Sequence, residues 1–149
     1  MGQPISENLW WVIPGKLAGV RKPTPDELSE LKTAGIGGIV SVLADRSNLD
    51  LYDRSGTPHL WLPIQEASAP SRAQIQKLQD FVDLNHRQGL AVAVHCTGGI
   101  HRAGTMLAAD LIWHGSTYDD AMQTIQSANP NVHLELAQIS FLQELAAKR

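Results

Sequence analysis

The apolar positions of this chain form short continuous runs, which alternate with segments where apolar residues recur every three or four positions. Short continuous runs are typical of buried strands, and the three-to-four spacing is typical of amphipathic helices. Strands that alternate with helices predict an α/β domain with a largely parallel sheet. The strands are predicted over residues 9–13, 16–20, 36–43, 59–64 and 90–95.

Capping and turn residues mark where the predicted helices begin and end. Thr24 with Glu27, and Ser71 with Gln74, have the spacing of capping boxes, which satisfy the first free N–H groups of a helix. The helices are predicted over residues 25–34, 72–89, 102–114, 117–127 and 134–148. Residues 45–58 are mostly polar and are predicted as a surface loop.

Size, composition and charge limit the classes of protein to which the chain can belong. Its 149 residues suffice for one domain with a sizeable core, and 43% apolar with 18% charged residues is ordinary for a globular protein. A formal charge of −3 without a basic cluster argues against nucleic acid binding. The apolar runs are too short to span a membrane and no leader pattern is recognisable, so we expect a cytoplasmic protein without stable membrane anchoring.

A glycine-bearing loop between the last apolar run and the following helix carries the candidate chemistry. Cys96, the only cysteine, lies at its start and Arg102 at its end. The loop N–H groups and the positive helix end suit a tetrahedral oxyanion, and a guanidinium binds two phosphate oxygens at once. These donors also favour the thiolate form of Cys96, so we expect a covalent phosphocysteine intermediate. The predicted phosphate-binding residues are Thr97, Gly98, Gly99, Ile100, His101 and Arg102.

The residues around this loop resemble a known signature. The segment His95-Cys96, with Arg102 six residues after the cysteine and Ala103-Gly104-Thr105 behind it, resembles the loop of the cysteine-dependent protein tyrosine phosphatase superfamily. It is most similar to that of the small atypical dual-specificity phosphatases. The resemblance implies the cysteine-phosphatase fold, a mostly parallel central sheet flanked by helices on both faces, in one catalytic domain over residues 1–149.

The resemblance also implies roles for individual residues. Cys96 is expected to be the nucleophile and Arg102 the phosphate clamp, while His95 and Thr105 tune the thiolate by hydrogen bonding. Gln138 follows Pro130 by eight residues and matches the segment that positions the hydrolytic water in the family.

The general acid is where the chain departs from the family pattern. The family has an Asp in a mobile loop, whereas residues 65–69 of this chain contain no Asp and have Glu66 at the expected position. A glutamate has the same carboxyl chemistry with one more methylene. Asp45 is the alternative acid, because it follows a predicted strand at the edge where active sites of parallel sheets lie. Asp50 and Asp53 lie deeper in the predicted loop and are weaker candidates.

The resemblance and the small size of the chain together predict an enzyme that hydrolyses phosphate monoesters, namely phosphotyrosine and also phosphoserine or phosphothreonine of proteins. No cofactor is expected, and no metal, because His95 and His101 lack the spacing of a helical ligand pair. The alternatives are a weakly active phosphate-binding module and a phosphatase for a phosphoinositide or small phosphate ester. A rhodanese-like sulfurtransferase is a further alternative, but the residues that flank Cys96 resemble phosphatases instead.

Overall fold

The computed structural model describes residues 4–96 and 100–148. In these residues, five strands form one sheet in the order β1-β2-β5-β3-β4. The strands β1 and β2 pair antiparallel, and the remaining pairs are parallel. The strands are β1 (Trp10–Ile13), β2 (Leu17–Gly19), β3 (Ile36–Ser41), β4 (His59–Trp61) and β5 (Ala91–His95).

Helices cover both faces of the sheet, which confirms the predicted α/β class. The helices are α1 (Ile5–Asn8), α2 (Leu28–Thr33), α3 (Leu49–Ser55), α4 (Arg72–Arg87), α5 (His101–Trp113), α6 (Tyr118–Ala128) and α7 (Leu136–Ala147). A 3-10 turn at Pro25–Glu27 leads into α2. One apolar core lies between the sheet and the helices α4 to α7, and a second, smaller core lies between the sheet and α1, α2 and α3.

The strand β5 lies at the centre of the sheet, between β2 and β3, and all five of its residues are buried. In the pairing of β5 with β3, His95 lies opposite Ser41, so the two parallel strands end at the same edge of the sheet. Cys96 follows directly and is 2% exposed. The nucleophile candidate therefore lies where sites of parallel α/β sheets form.

The prediction of a loop over residues 45–58 is wrong, because α3 forms within it. Asn48 (φ 70°) and Gly56 (φ 69°) flank this helix in left-handed conformations, which Asn tolerates and Gly adopts without strain. Leu49 and Tyr52 are the apolar residues that α3 buries against the sheet. In the sequence, two apolar residues three positions apart are too short a repeat to indicate a helix within a polar segment, which is why this helix was not predicted.

Other differences from the prediction are smaller. The helix α1 was not predicted, and it buries only Ile5. The strand predicted over residues 59–64 ends at Trp61, although the N–H groups of Leu62 and Ile64 still donate to carbonyl oxygens of Ser41 and Val42. These bonds keep the segment after β4 beside the end of β3.

A close approach of α4 to β3 depends on glycine. A Cβ atom on Gly38 would lie 2.5 Å from the ring of Phe81, closer than packed carbon atoms allow. The absence of a side chain therefore lets α4 pack directly on the strand.

None of the described helices is long and apolar enough to cross a bilayer.

Candidate active site

The nucleophile candidate and the phosphate clamp candidate lie close together in the chain, between β5 and the start of α5. Cys96 directly follows β5, and Arg102 is the second residue of α5, whose N-terminus opens towards the same edge of the sheet. Thr97, Gly98 and Gly99 lie outside the described residues, so their predicted contacts with phosphate stay a prediction. Ile100 packs its side chain against the core, so its backbone is the part available to an anion.

The guanidinium of Arg102 is held by the segment that follows β4. Its Nη1 donates to the carbonyl oxygen of Ile64 at 3.0 Å, and the side chain is half-buried. This bond uses one of the five N–H donors of the guanidinium, so a planar fork remains available for oxyanion oxygens. Arg102 thus connects the phosphate loop to the loop that carries Glu66.

His95 is fully buried and its ring is fixed by a tyrosine from α3. Its Nε2 lies 2.8 Å from the hydroxyl of Tyr52, and the same hydroxyl oxygen accepts from Nδ2 of Asn48 at 3.1 Å. The phenol proton needs an acceptor, and of the two described partners of this hydroxyl Asn48 is a donor, so the proton is directed at Nε2. His95 then carries its own proton on Nδ1.

The protonation states agree with this arrangement. Burial lowers the pKa of His95 to about 4, an effect that the Cys96 backbone partly opposes. Burial raises the pKa of Tyr52 to about 12, so the phenol keeps its proton at neutral pH. The residue before the nucleophile is therefore a neutral imidazole with a defined tautomer.

Tyr52 and Asn48 were not predicted as site residues. Asn48 also donates to the carbonyl oxygen of Pro23 at 2.9 Å, so it ties together the segment after β2, the helix α3 and His95. Tyr52 contacts a residue 43 positions away in sequence, and local periodicity contains no information about such a contact. A lone Tyr in a polar segment was the only signal available.

Thr105 lies one turn into α5 and is fully buried. Its hydroxyl donates to the carbonyl oxygen of His101 at 2.8 Å, so in this conformation its proton is directed at the helix backbone and not at Cys96. The predicted tuning of the thiolate by Thr105 stays a prediction. His101 is exposed, and its Nδ1 accepts from the N–H of His133 at 3.3 Å.

The two candidate acids lie in segments that follow neighbouring strands of the sheet, Glu66 after β4 and Asp45 after β3. Glu66 is exposed and lies in a turn that the N–H of Ser68 closes by donating to the carbonyl oxygen of Gln65 at 2.9 Å. Ala67 in this turn has φ 65°, a left-handed conformation that costs an alanine about 1–2 kcal/mol.

Asp45 follows β3 and is also exposed. It accepts from the N–H of Ser47 at 2.8 Å. Hydrogen bonding to the side chain and then to the backbone of Ser47, with smaller effects from Lys22 and Arg102, lowers the pKa of its carboxyl group. A lowered pKa disfavours the protonated form that a general acid needs. Asp50 and Asp53 lie on α3, where Asp53 is 3.4 Å from His59.

Gln138 is fully buried in the first turn of α7 and uses both ends of its amide. Its Oε1 accepts from the N–H of Glu135 at 2.9 Å, and its Nε2 donates to the carbonyl oxygen of Ser68 at 3.0 Å. It therefore contacts the loop that carries Glu66.

Among the described residues, no group of three or more His, Cys, Asp or Glu side chains is arranged to hold a metal ion.

Comparison with known protein families shows to which family the chain belongs. Residues 15–116 match a family model described as a polymorphic toxin system, DSP-PTPase phosphatase. The chain belongs to this phosphatase family. The resemblance predicted from Cys96, Arg102 and their neighbours is thereby confirmed at the level of the family.

Individual relatives of this phosphatase cover most of its length. A phosphatidylglycerophosphate phosphatase from Arabidopsis thaliana is 29% identical over 95% of the chain, and the chain spans 64% of that relative's length. A protein tyrosine phosphatase type IVA 2 from Mus musculus is 29% identical over 65% of the chain, and this match spans 59% of the mouse protein's length. The crystal structure of Tk-PTP in the active form superposes with a TM-score of 0.84 at 26% identity, covering 95% of this chain and 98% of the other.

Proposed function

We propose that this phosphatase, as one catalytic domain over residues 1–149, hydrolyses phosphotyrosine and phosphoserine or phosphothreonine esters of proteins through a Cys96 phosphoenzyme. The observation that carries the proposal is the placement of Cys96 at the end of the central strand, with Arg102 in the first turn of the next helix. A cytoplasmic location, expected from the sequence, is part of the proposal.

In the first step, the thiolate sulfur of Cys96 attacks phosphorus and the bond to the leaving oxygen breaks. The charge that develops on the equatorial oxygens is stabilised by the Arg102 fork and by the N-terminal N–H groups of α5. Glu66 donates a proton to the leaving oxygen, and Asp45 is the alternative donor. His95, neutral and held by Tyr52, orients the strand end that carries the sulfur.

In the second step, water attacks the phosphocysteine and the S–P bond breaks, which releases phosphate and the thiolate. The carboxylate that gave its proton in the first step accepts one from this water. Gln138 is proposed to position the water, and its contact with Ser68 keeps its amide beside the acid loop.

A lipid phosphate is the second candidate substrate. It is supported by the Arabidopsis thaliana relative named as a phosphatidylglycerophosphate phosphatase, which aligns over 95% of the chain. The chemistry at Cys96 would be the same, because both substrates are phosphate monoesters.

Turnover separates the substrate classes. Phosphate release should be measured with a phosphotyrosine peptide, a phosphoserine peptide and phosphatidylglycerophosphate in detergent micelles, for the wild type and for Cys96→Ser. We expect the peptides to have the higher kcat/KM and Cys96→Ser to reduce release to background. A lipid kcat/KM tenfold above both peptides would reassign the substrate, and no Cys96-dependent turnover would indicate a phosphate-binding module.

A leaving-group comparison tests the acid. If Glu66 is the proton donor, Glu66→Gln should slow the phosphoserine peptide by ~10²–10⁴ and slow p-nitrophenyl phosphate much less, because nitrophenolate leaves without a proton. Asp45→Asn is the matched control, and we expect similar small effects on both substrates. The reverse pattern would move the role to Asp45, and no leaving-group dependence in either variant would exclude a side-chain acid at these two positions.

A further inference from the structure

A cavity of about 790 Å³ opens on the sheet face that α2 and α3 cover. Its floor includes Ile36 and Ile39 of β3, and its walls include Leu31 of α2 and Leu51 of α3. This volume lies within the ~300–1,000 Å³ typical of sites for small organic molecules.

The charges of this cavity, which we call the α2–α3 cavity, have one sign. Exposed Lys32 of α2 and exposed Arg54 of α3 line it, and no Asp or Glu occurs among its described lining residues. The other polar side chains that line it belong to Ser29, Ser55 and Thr57, which are neutral. Apolar walls with two cations complement a molecule that has an apolar body and an anionic end.

The α2–α3 cavity is separate from the candidate active site. It includes Leu90, which precedes β5, whereas Cys96 follows the other end of that strand. Six residues of extended chain correspond to ~20 Å. The catalytic proposal assigns no role to the residues that line the cavity, and this inference does not depend on that proposal.

We propose that the α2–α3 cavity binds a single-chain fatty-acyl carboxylate. The hydrocarbon chain lies along Leu28, Leu51 and Leu90, the half-buried leucines that line the cavity, and the carboxylate pairs with Lys32 and Arg54 at the exposed side. An uncharged apolar molecule would gain no attraction from either cation, and a cationic amphiphile would be repelled.

Binding of dodecanoate, measured by titration calorimetry below its micelle concentration, tests the proposal. We expect one bound molecule per chain, and binding that tightens by up to about fourfold for each methylene added between octanoate and dodecanoate. Dodecyltrimethylammonium should bind at least tenfold more weakly. Equal binding of the cationic amphiphile would overturn the proposal.

Variants locate the site. Lys32→Gln combined with Arg54→Gln should weaken dodecanoate binding by at least about tenfold, because charge-assisted contacts are lost. Lys77→Gln combined with Arg87→Gln is the matched control, since both exposed residues lie on α4 and do not line the cavity. Equal losses in the two double variants would indicate a general charge effect and contradict the proposal.

Ser29→Trp places an indole in the cavity from an exposed position of α2 and should abolish binding. Turnover of p-nitrophenyl phosphate by this variant reports whether it is folded, and we expect it to be unchanged because Ser29 is outside the catalytic machinery. Undiminished binding by folded Ser29→Trp would overturn the assignment. Displacement of dodecanoate by orthovanadate would overturn it as well, because the ligand would then occupy the site at Cys96.

Discussion

Removal of one hydroxyl, by Tyr52→Phe, tests the arrangement that fixes His95. The substitution keeps the ring that fills the second core but leaves Nε2 of a fully buried His95 without its donor. A buried polar atom that loses its partner costs about 1–3 kcal/mol of folding free energy. With an unfolding entropy of ~2.1 cal/mol/K per residue, the 149 residues give ~0.3 kcal/mol/K, so Tm should fall by ~3–10 °C.

The same change should reduce turnover without a comparable change in substrate binding. Without the phenol proton, the imidazole tautomer is no longer specified, and the strand end that carries Cys96 loses a positioning contact. If the net contribution of that hydrogen bond, ~0.5–1.5 kcal/mol, is expressed in the transition state, kcat falls by ~2–12-fold. KM should change by less than kcat, because the fully buried side chain of Tyr52 offers no surface to a substrate.

Tyr118→Phe is the matched control. The chain has two tyrosines, and Tyr118 lies on α6, where its hydroxyl makes no hydrogen bond with the described residues. Calorimetry and steady-state kinetics on p-nitrophenyl phosphate should therefore separate the two variants. If Tyr52→Phe had the same Tm and kcat as Tyr118→Phe, the contact with His95 would contribute nothing measurable and our reasoning about the tautomer would be refuted.

Two further substitutions probe other groups. Burial raises the pKa of Asp110 to about 6, so between about pH 4 and 6 the folded protein keeps a proton that the unfolded chain releases, and stability is lost as pH rises through this range. Burial lowers the pKa of His95 to about 4, so stability is lost as pH falls from about 6.5 to 4. Asp110→Asn should therefore raise the free energy of unfolding at pH 7 by up to about 3 kcal/mol and leave a profile that rises with pH between 4 and 6.5, measured by urea denaturation; an unchanged profile would contradict this assignment. Ala67→Gly should relieve the left-handed strain at φ 65° and raise Tm by up to about 3 °C, whereas a fall in Tm would show that the turn is not strained.

Much of the scaffold was predictable because its signals are local. The run over residues 90–95 is apolar at almost every position, as a strand covered on both faces requires, and it is β5 in the structure. The capping box of Ser71 and Gln74 is present at the start of α4. The positions of Cys96 and Arg102 follow from the strand end and the helix start that these patterns define.

The parts that were not predictable depend on contacts between distant segments. Nothing near Tyr52 indicates that its hydroxyl meets His95, and the helix that positions it has only one short apolar repeat. Gln138 was predicted from the resemblance, but its hydrogen bond to the carbonyl oxygen of Ser68 joins residues 70 positions apart. Which carboxyl group donates the proton depends on such geometry as well, because Asp45 and Glu66 are equally plausible in chemical type.

The long sequence separations across the site determine when it forms during folding. Arg102 meets Ile64 across 38 residues and Gln138 meets Ser68 across 70, so each contact needs a large loop to close before it forms. Helices can form locally and early, whereas parallel pairing of β5 with β3 and docking of α7 are non-local and slow. Recovery of enzymatic turnover in a refolding experiment should therefore lag behind recovery of helical circular dichroism. A chain shortened before α7 would keep Cys96 and Arg102 but lose the contact that secures the segment around Ser68.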